Sequence, residues 1–151
     1  MIQIAHRGNL DGPVTSLEND PSYIDRALSE GFDVEVDLWY VPAGFFLGHD
    51  LGNYPVTLEW LKERSSNLWI HCKNLPALEK LSPPKNTASD LNFFWHQTDD
   101  HTLTSRGFIW TFPNKPVCSK SVIVNLDKDF GSHSLQECYA ICSDYPRTMT
   151  Q

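Results

Sequence analysis

Two carboxylates, Glu35 and Asp37, stand two residues apart in the stretch FDVEVDLWY. On an extended strand, residues i and i+2 project to one side with backbones roughly 6 to 7 Å apart, so their oxygens converge readily on one cation. Hard divalent ions such as Mg2+ and Ca2+ take oxygen ligands of this kind. An acid-bearing strand that simply faces water accounts for the same spacing, because exposed acids are common. Near the start of the chain, IAHRGN sets His6, Arg7 and Gly8 directly after a short apolar run, and FFLGHD ends on His49 and Asp50. Histidine titrates near neutral pH and moves protons, while the planar fork of arginine donors matches phosphate oxygens. A histidine bonded to backbone beside an arginine on the rim is the plainer reading of the first of these.

The elements that must position these groups read as strands that deliver residues at their ends. Residues 2 to 5 suit a strand, followed by a polar loop and a helix that Asn19 or Asp20 caps. Pro21 suits its first turn, Ile24, Ala27 and Leu28 recur at helical spacing, and Gly31 ends it. Residues 33 to 49 read as a hairpin in which Val34, Val36 and Leu38 share one face and Asp33, Glu35, Asp37 and Trp39 the other. Thr57 caps a helix through Arg64, LWIHC is a strand, and 74 to 81 a brief helix. The second half, with NFFWHQ, FIWT, SVIVN and YAICS as strands, lacks obvious helices. Strands alternating with helices predict an α/β fold with a mostly parallel sheet. A full (β/α) barrel takes about 250 residues, so the expectation is one domain over 1–151, a reduced and irregular TIM-type barrel with few helices in its C-terminal half.

Composition narrows the partners. With 151 residues, 40% hydrophobic and 12% aromatic, the chain buries one core. A formal net charge of −7 argues against a broad basic surface for nucleic acid. No apolar run is long enough to cross a bilayer and no secretory leader is evident, so a cytoplasmic protein is expected. Cys72, Cys118, Cys138 and Cys142 show no CxxC or zinc spacing and read as reduced thiols. A pared-down barrel exposes strands, which a homodimer would cover.

In order along the chain, HRG at 6–8, EN at 18–19, EVD at 35–37 and HD at 49–50 resemble the glycerophosphodiester phosphodiesterases, of the same superfamily as the phosphatidylinositol-specific phospholipases C. VTLEWL at 56–61, IWT at 109–111 and ICSDYP at 141–146 extend the likeness, which is dense over residues 2 to 61 and thinner to 146. The resemblance implies His6 and His49 as an acid/base pair, Arg7 as the phosphate holder, Glu35 and Asp37 as metal ligands, and Lys73 as a neutraliser of phosphoryl oxygens. It also implies that Glu18 and Asn19 line the site on the substrate's side. Trp39, Trp95 and Trp110 are candidate pocket walls, Trp110 above all, although aromatics of this kind also build cores. HQTDDH contributes His96, Asp99, Asp100 and His101 as a candidate site loop.

Where the family carries a third acidic ligand, this chain has His71. The family's Mg2+ or Ca2+ is then one expectation, and Mn2+ or Zn2+, which accept imidazole, the other; alternatively His71 merely fills the barrel interior. The function implied is metal-dependent hydrolysis of a small phosphodiester, glycerophosphodiester-like or on a glycan or lipid head group, by two-histidine acid/base catalysis. The alternatives are a non-catalytic phosphoester or sugar-phosphate binding module and a structural subunit that binds a partner protein.

Overall fold

A computed structural model describes residues 1–84, 89–128 and 138–150. Along the chain run β1 (Ile2–His6), α1 (Pro21–Ser29), β2 (Asp33–Val41), β3 (Gly44–Leu47), β4 (Tyr54–Val56), α2 (Leu58–Glu63), β5 (Leu68–Cys72), α3 (Leu75–Leu81), β6 (Phe93–Phe94), β7 (His101–Leu103), β8 (Ile109–Thr111), β9 (Ser121–Val124), β10 (Ala140–Ser143) and a closing 3-10 turn, Pro146–Thr150. β2 organises the sheet. Its first half lies between β1 and β5, both parallel to it, and its second half pairs antiparallel with β3, which pairs with β4. Beyond β1 follow β10, β9 and β8, all parallel, with β7 antiparallel at the end, while β6 extends from β5.

The expected reduced TIM-type barrel does not form. The sheet is mixed and curls into a half-barrel, and the described residues hold three α-helices in place of helices alternating with every strand. The physical reason lies in the connections. The segment 112–120 between the parallel strands β8 and β9 carries Pro113 and Pro116 and no apolar residues at helical spacing, so it crosses without a helix. No ladder joins β6 to β8. The Ser105 N–H donates to the Phe93 carbonyl at 2.8 Å, the Phe93 N–H to Ser105 Oγ at 2.9 Å, and the Phe94 ring lies 4.4 Å from that of Trp110.

The helices form where the caps direct them. Asp20 Oδ1 accepts the Ser22 N–H, Thr57 Oγ1 that of Trp60, and Asn74 Oδ1 that of Ala77. Asp20, not Asn19, therefore caps α1, which frees Asn19 for another task. Strand alternation then divides the core. Val34, Val36, Leu38 and Ile70 face outward against Ile24, Ala27, Leu61 and Ala77 of the helices. Ile4, Trp69, Phe94, Trp110, Val122 and Cys142 fill the inside of the curl. Glu35 and Asp37 share that inner face and are 2% and 0% exposed, so the water-facing reading of the acidic strand fails. Among the described residues no helix is long and apolar enough to cross a membrane.

Candidate active site

The C-terminal ends of β1 and β5 flank the middle of β2, and all three strands carry titratable residues there. Paired register sets His6 beside Glu35 and Asp37 beside His71. Together with Arg7, Lys73 and His49 they meet at a cavity of about 470 Å3 that Trp95, His96 and Trp110 also line, with Asp37 buried beneath it.

Local backbone explains how the loops deliver these groups. Arg7 and Asn19 both adopt left-handed conformations, with φ of 54° and 65°, which non-glycine residues seldom keep without surrounding support. That support is visible: the Arg7 N–H donates to the Glu35 carbonyl at 3.0 Å, and the Arg7 carbonyl accepts the Asn19 N–H at 3.1 Å. Gly48 precedes His49 with φ of 152°, and a Cβ there would lie 1.9 Å from the Leu51 carbonyl oxygen. Only glycine fits that close approach. Gly8, with φ of 89°, packs against Tyr23, whose ring a Cβ would meet at 2.8 Å.

Charge is concentrated on Asp37. Arg7 Nε lies 2.8 Å from Oδ2, and both Lys73 Nζ and His71 Nδ1 lie 3.3 Å from Oδ1. These are ion-pair contacts whose angles do not make hydrogen bonds, because Arg7 Nε and Asp37 Oδ1 are both left without a hydrogen-bond partner. The bonds Asp37 does make are with Asn19, whose Nδ2 donates to Oδ2 at 3.0 Å and whose Oδ1 accepts the Asp37 N–H at 2.9 Å. Burial pushes the Asp37 carboxyl up, but His71, Arg7 and Lys73 outweigh it and hold the group well below the usual carboxylate range. Glu35 goes the other way, raised by burial and then by the neighbouring Asp37 charge. Its Oε2 also lacks a hydrogen-bond partner.

His71 is oriented from behind. Its Nε2 lies 2.8 Å from the His96 carbonyl, which can only accept, so Nε2 carries a proton in either form of the ring: the charged ring meets Asp37 with Nδ1–H, and the neutral ring turns the Nδ1 lone pair there. That lone pair faces Asp37 Oδ1 at 3.3 Å and Glu35 Oε1 at 3.8 Å. The ring stacks on Phe94, with centroids 5.2 Å apart. Glu35, Asp37 and His71 each offer one ligand atom within 4.8 Å of the others. Two carboxylates and an imidazole lone pair turned toward one point repel unless a cation or proton sits among them. Their two oxygens and one nitrogen suit a divalent ion, and Asp37 Oδ1, without a hydrogen-bond partner, has the capacity to bind it.

His6 belongs to a second network. Its Nδ1–H donates to Asp144 Oδ1 at 2.8 Å, which leaves Nε2 facing Glu35 Oε2 at 3.9 Å. Burial opposes the charged ring, but the Asp144 hydrogen bond and the Glu35 charge together hold His6 above its ordinary value. Asn9 Nδ2 donates both to Asp144 Oδ1 at 2.8 Å and to Glu18 Oε1 at 3.0 Å. Neither Asp144 nor Asn9 was singled out from sequence. The usable signal was the acid directly after the strand YAICS: in the parallel register Ala5 pairs with Ser143, so Asp144 falls beside His6.

The remaining sequence candidates separate. His49 stands at the rim with its side chain 45% exposed and its Nδ1 2.7 Å from Asp50. Glu18 accepts a hydrogen bond from Arg7 Nη1 at 3.1 Å, so Glu18 and Asn19 brace Arg7 and Asp37. Trp110 and Trp95 are walls of the cavity, whereas Trp39 donates its indole N–H to the Gly48 carbonyl and borders a separate groove. Of the HQTDDH stretch, His96 reaches the cavity, while Asp100 pairs with Lys115 and His101 donates to the Pro116 carbonyl. Neither a protein-family model, nor a curated protein, nor a solved structure matches the chain.

Proposed function

We propose that the chain is a metal-dependent phosphodiesterase of the glycerophosphodiester phosphodiesterase type, acting on a small phosphodiester. The observation that carries this reading is the grouping of Glu35, Asp37 and His71, each with one ligand atom within 4.8 Å of the others, beside the same cavity as Arg7, Lys73, His6 and His49; Asp37 Oδ1, 3.3 Å from His71 Nδ1, is buried without a hydrogen-bond partner. Glu35, Asp37 and His71 would hold the ion, which supplies Lewis-acid stabilisation of charge on the phosphoryl oxygens. With an imidazole among the ligands, Mn2+ or Zn2+ is favoured over Mg2+ or Ca2+.

The chain's own residues do the rest. Arg7 spends Nη1 on Glu18 and Nε on Asp37, and Nη2, without a protein partner among the described residues, would hold a phosphate oxygen. Lys73 adds positive field from the next strand. His6, whose charged form the Asp144 hydrogen bond and the Glu35 charge favour against the cost of burial, would donate from Nε2 to the leaving oxygen. Asp144 keeps the His6 ring turned so that Nε2 is the reactive nitrogen. His49, anchored by Asp50, takes the proton of the attacking hydroxyl, and the two roles reverse when water attacks a cyclic intermediate.

A second reading has one observation in its favour: Arg7 and Lys73 already meet the Asp37 charge, as a phosphoester-binding module without turnover would allow. Hydrolysis separates the two. Chelator-treated protein is assayed on a panel of glycerophosphodiesters and a chromogenic phosphodiester, with each of Mg2+, Ca2+, Mn2+ and Zn2+ restored in turn. The expected result is metal-dependent turnover, highest with Mn2+ or Zn2+, that falls by on the order of 10³-fold in His6→Ala. Folded protein that binds inorganic phosphate yet turns over nothing with any ion would favour the binding module.

A further inference from the structure

The cavity is divided by chemistry along the strand order. The groups described above line the side built by β1, β2 and β5. The side built by the ends of β6, β8 and β9 is Trp95, Trp110, Phe112, Pro113, Val124 and Leu126. Among the described residues it carries no charged side chain. Its polar groups are His96, whose Nε2–H is committed to the Asp99 carbonyl, and Gln97. The wall runs from Trp110, 5% exposed, out to Phe112 and Leu126, 44% and 38% exposed. An apolar strip that begins inside a cavity and continues to its mouth offers a ligand area to remove from water.

We infer that one of the two alcohols on the phosphate is a hydrocarbon chain, which lies along the Trp110–Phe112–Leu126 wall while the phosphate occupies the ionic wall. This rests on the phosphodiester reading of the site and names the substrate class within it. Two features favour a hydrocarbon over a sugar. A sugar ring needs donors and acceptors around its hydroxyls, and this wall offers Gln97 and one histidine already bonded. Pro113, Val124 and Leu126 present aliphatic surface, where a glycan site would pair its aromatic platforms with polar side chains.

The test uses non-hydrolysable methyl-, butyl- and octylphosphonate below their aggregation concentrations, titrated calorimetrically into the full chain with Mn2+ present. A buried methylene strengthens binding about fourfold, so affinity is expected to climb by that step over the first few carbons, by at least about 30-fold from methyl to octyl. In the double variant Phe112→Ala with Leu126→Ala, shown folded by circular dichroism, the octyl-to-methyl ratio is expected to fall below about threefold. Equal affinities across the series, binding of none of the three, or an undiminished ratio in the double variant each overturn the inference. Turnover of the matching diesters separates it from the reading it rests on. A steep binding series without hydrolysis ends the phosphodiesterase assignment and leaves the apolar subsite standing. Hydrolysis with kcat/KM indifferent to chain length keeps the enzyme and overturns the subsite.

Discussion

β2 carries three acids on one face, and they have different fates. At its start, Asp33 is held by neutral donors, Asn67 Nδ2 on Oδ1 at 2.7 Å and the Trp69 indole N–H on Oδ2 at 2.9 Å, against the rings of Trp69, Phe108 and Tyr139. Further along, Glu35 and Asp37 each keep an oxygen with no hydrogen bond, and Arg7, Lys73 and two histidines gather around them. Residue type, strand and face are shared, so the difference comes from what the neighbours deliver. Around Asp33 the neighbouring side chains supply a matched donor for each oxygen, and the carboxylate is finished as structure. At the other end the loops after β1 and β5 supply charge without completing the bonds, and the oxygens are left available for a ligand.

The sharpest way to break this contrast is kinetic. Glu35→Gln and Asp37→Asn are each expected to lower metal-dependent turnover by on the order of 10³-fold, whereas Asp33→Asn changes kcat/KM by less than about threefold, all read by steady-state kinetics on one substrate. In stability the order inverts. Asp33→Ala strands the buried Trp69 indole N–H and is expected to cost about 1–3 kcal/mol in urea unfolding. Glu35→Gln removes a buried like charge beside Asp37 and is expected to leave metal-free stability unchanged or raise it by about 1 kcal/mol. A substitution that weakens function while sparing or improving the fold marks a site residue.

A smaller effect tests the network behind His6. Because folding raises its titration midpoint, the stability that charged His6 contributes is complete below the ordinary midpoint of roughly 6.5 and is lost as pH rises through the raised folded value. Asp144→Asn withdraws the anionic acceptor, so in chelator-treated protein the His6 ring is expected to titrate at lower pH by NMR, and the loss of stability to begin earlier. An unchanged midpoint would show that Asp144 does not set the charge on His6. The least effect is expected from Asp100→Ala, which breaks an exposed pair with Lys115 and is expected to shift stability by less than about 1 kcal/mol without touching turnover.

The residues gathered at the cavity were legible in the sequence because they stand on strands or directly after them, where alternation and short motifs place them by local rules. Caps, hairpin and helices were readable for the same reason. Burial of the acidic face was not, since a strand pattern of Val34, Val36 and Leu38 against Glu35 and Asp37 describes two faces and says nothing about a sheet curling over one of them. The half-barrel itself was missed because parallel pairing without helical crossovers leaves no periodic signal between β8 and β9. The short strands β4, with Pro55 at its centre, and β7 were too brief to register. Asp144 escaped because its partner His6 is 138 residues away.

The comparison along β2 comes down to whether the upper acids bind an ion and the lower one does not take part. Calorimetric titration of Mn2+ or Zn2+ into chelator-treated wild type, Asp33→Asn and Glu35→Gln measures this directly. One equivalent bound by wild type and by Asp33→Asn, with binding lost or weakened at least about tenfold in Glu35→Gln, is the expected result. No binding by folded wild type, or equal binding by all three, would contradict the assignment of Glu35, Asp37 and His71 as a metal site.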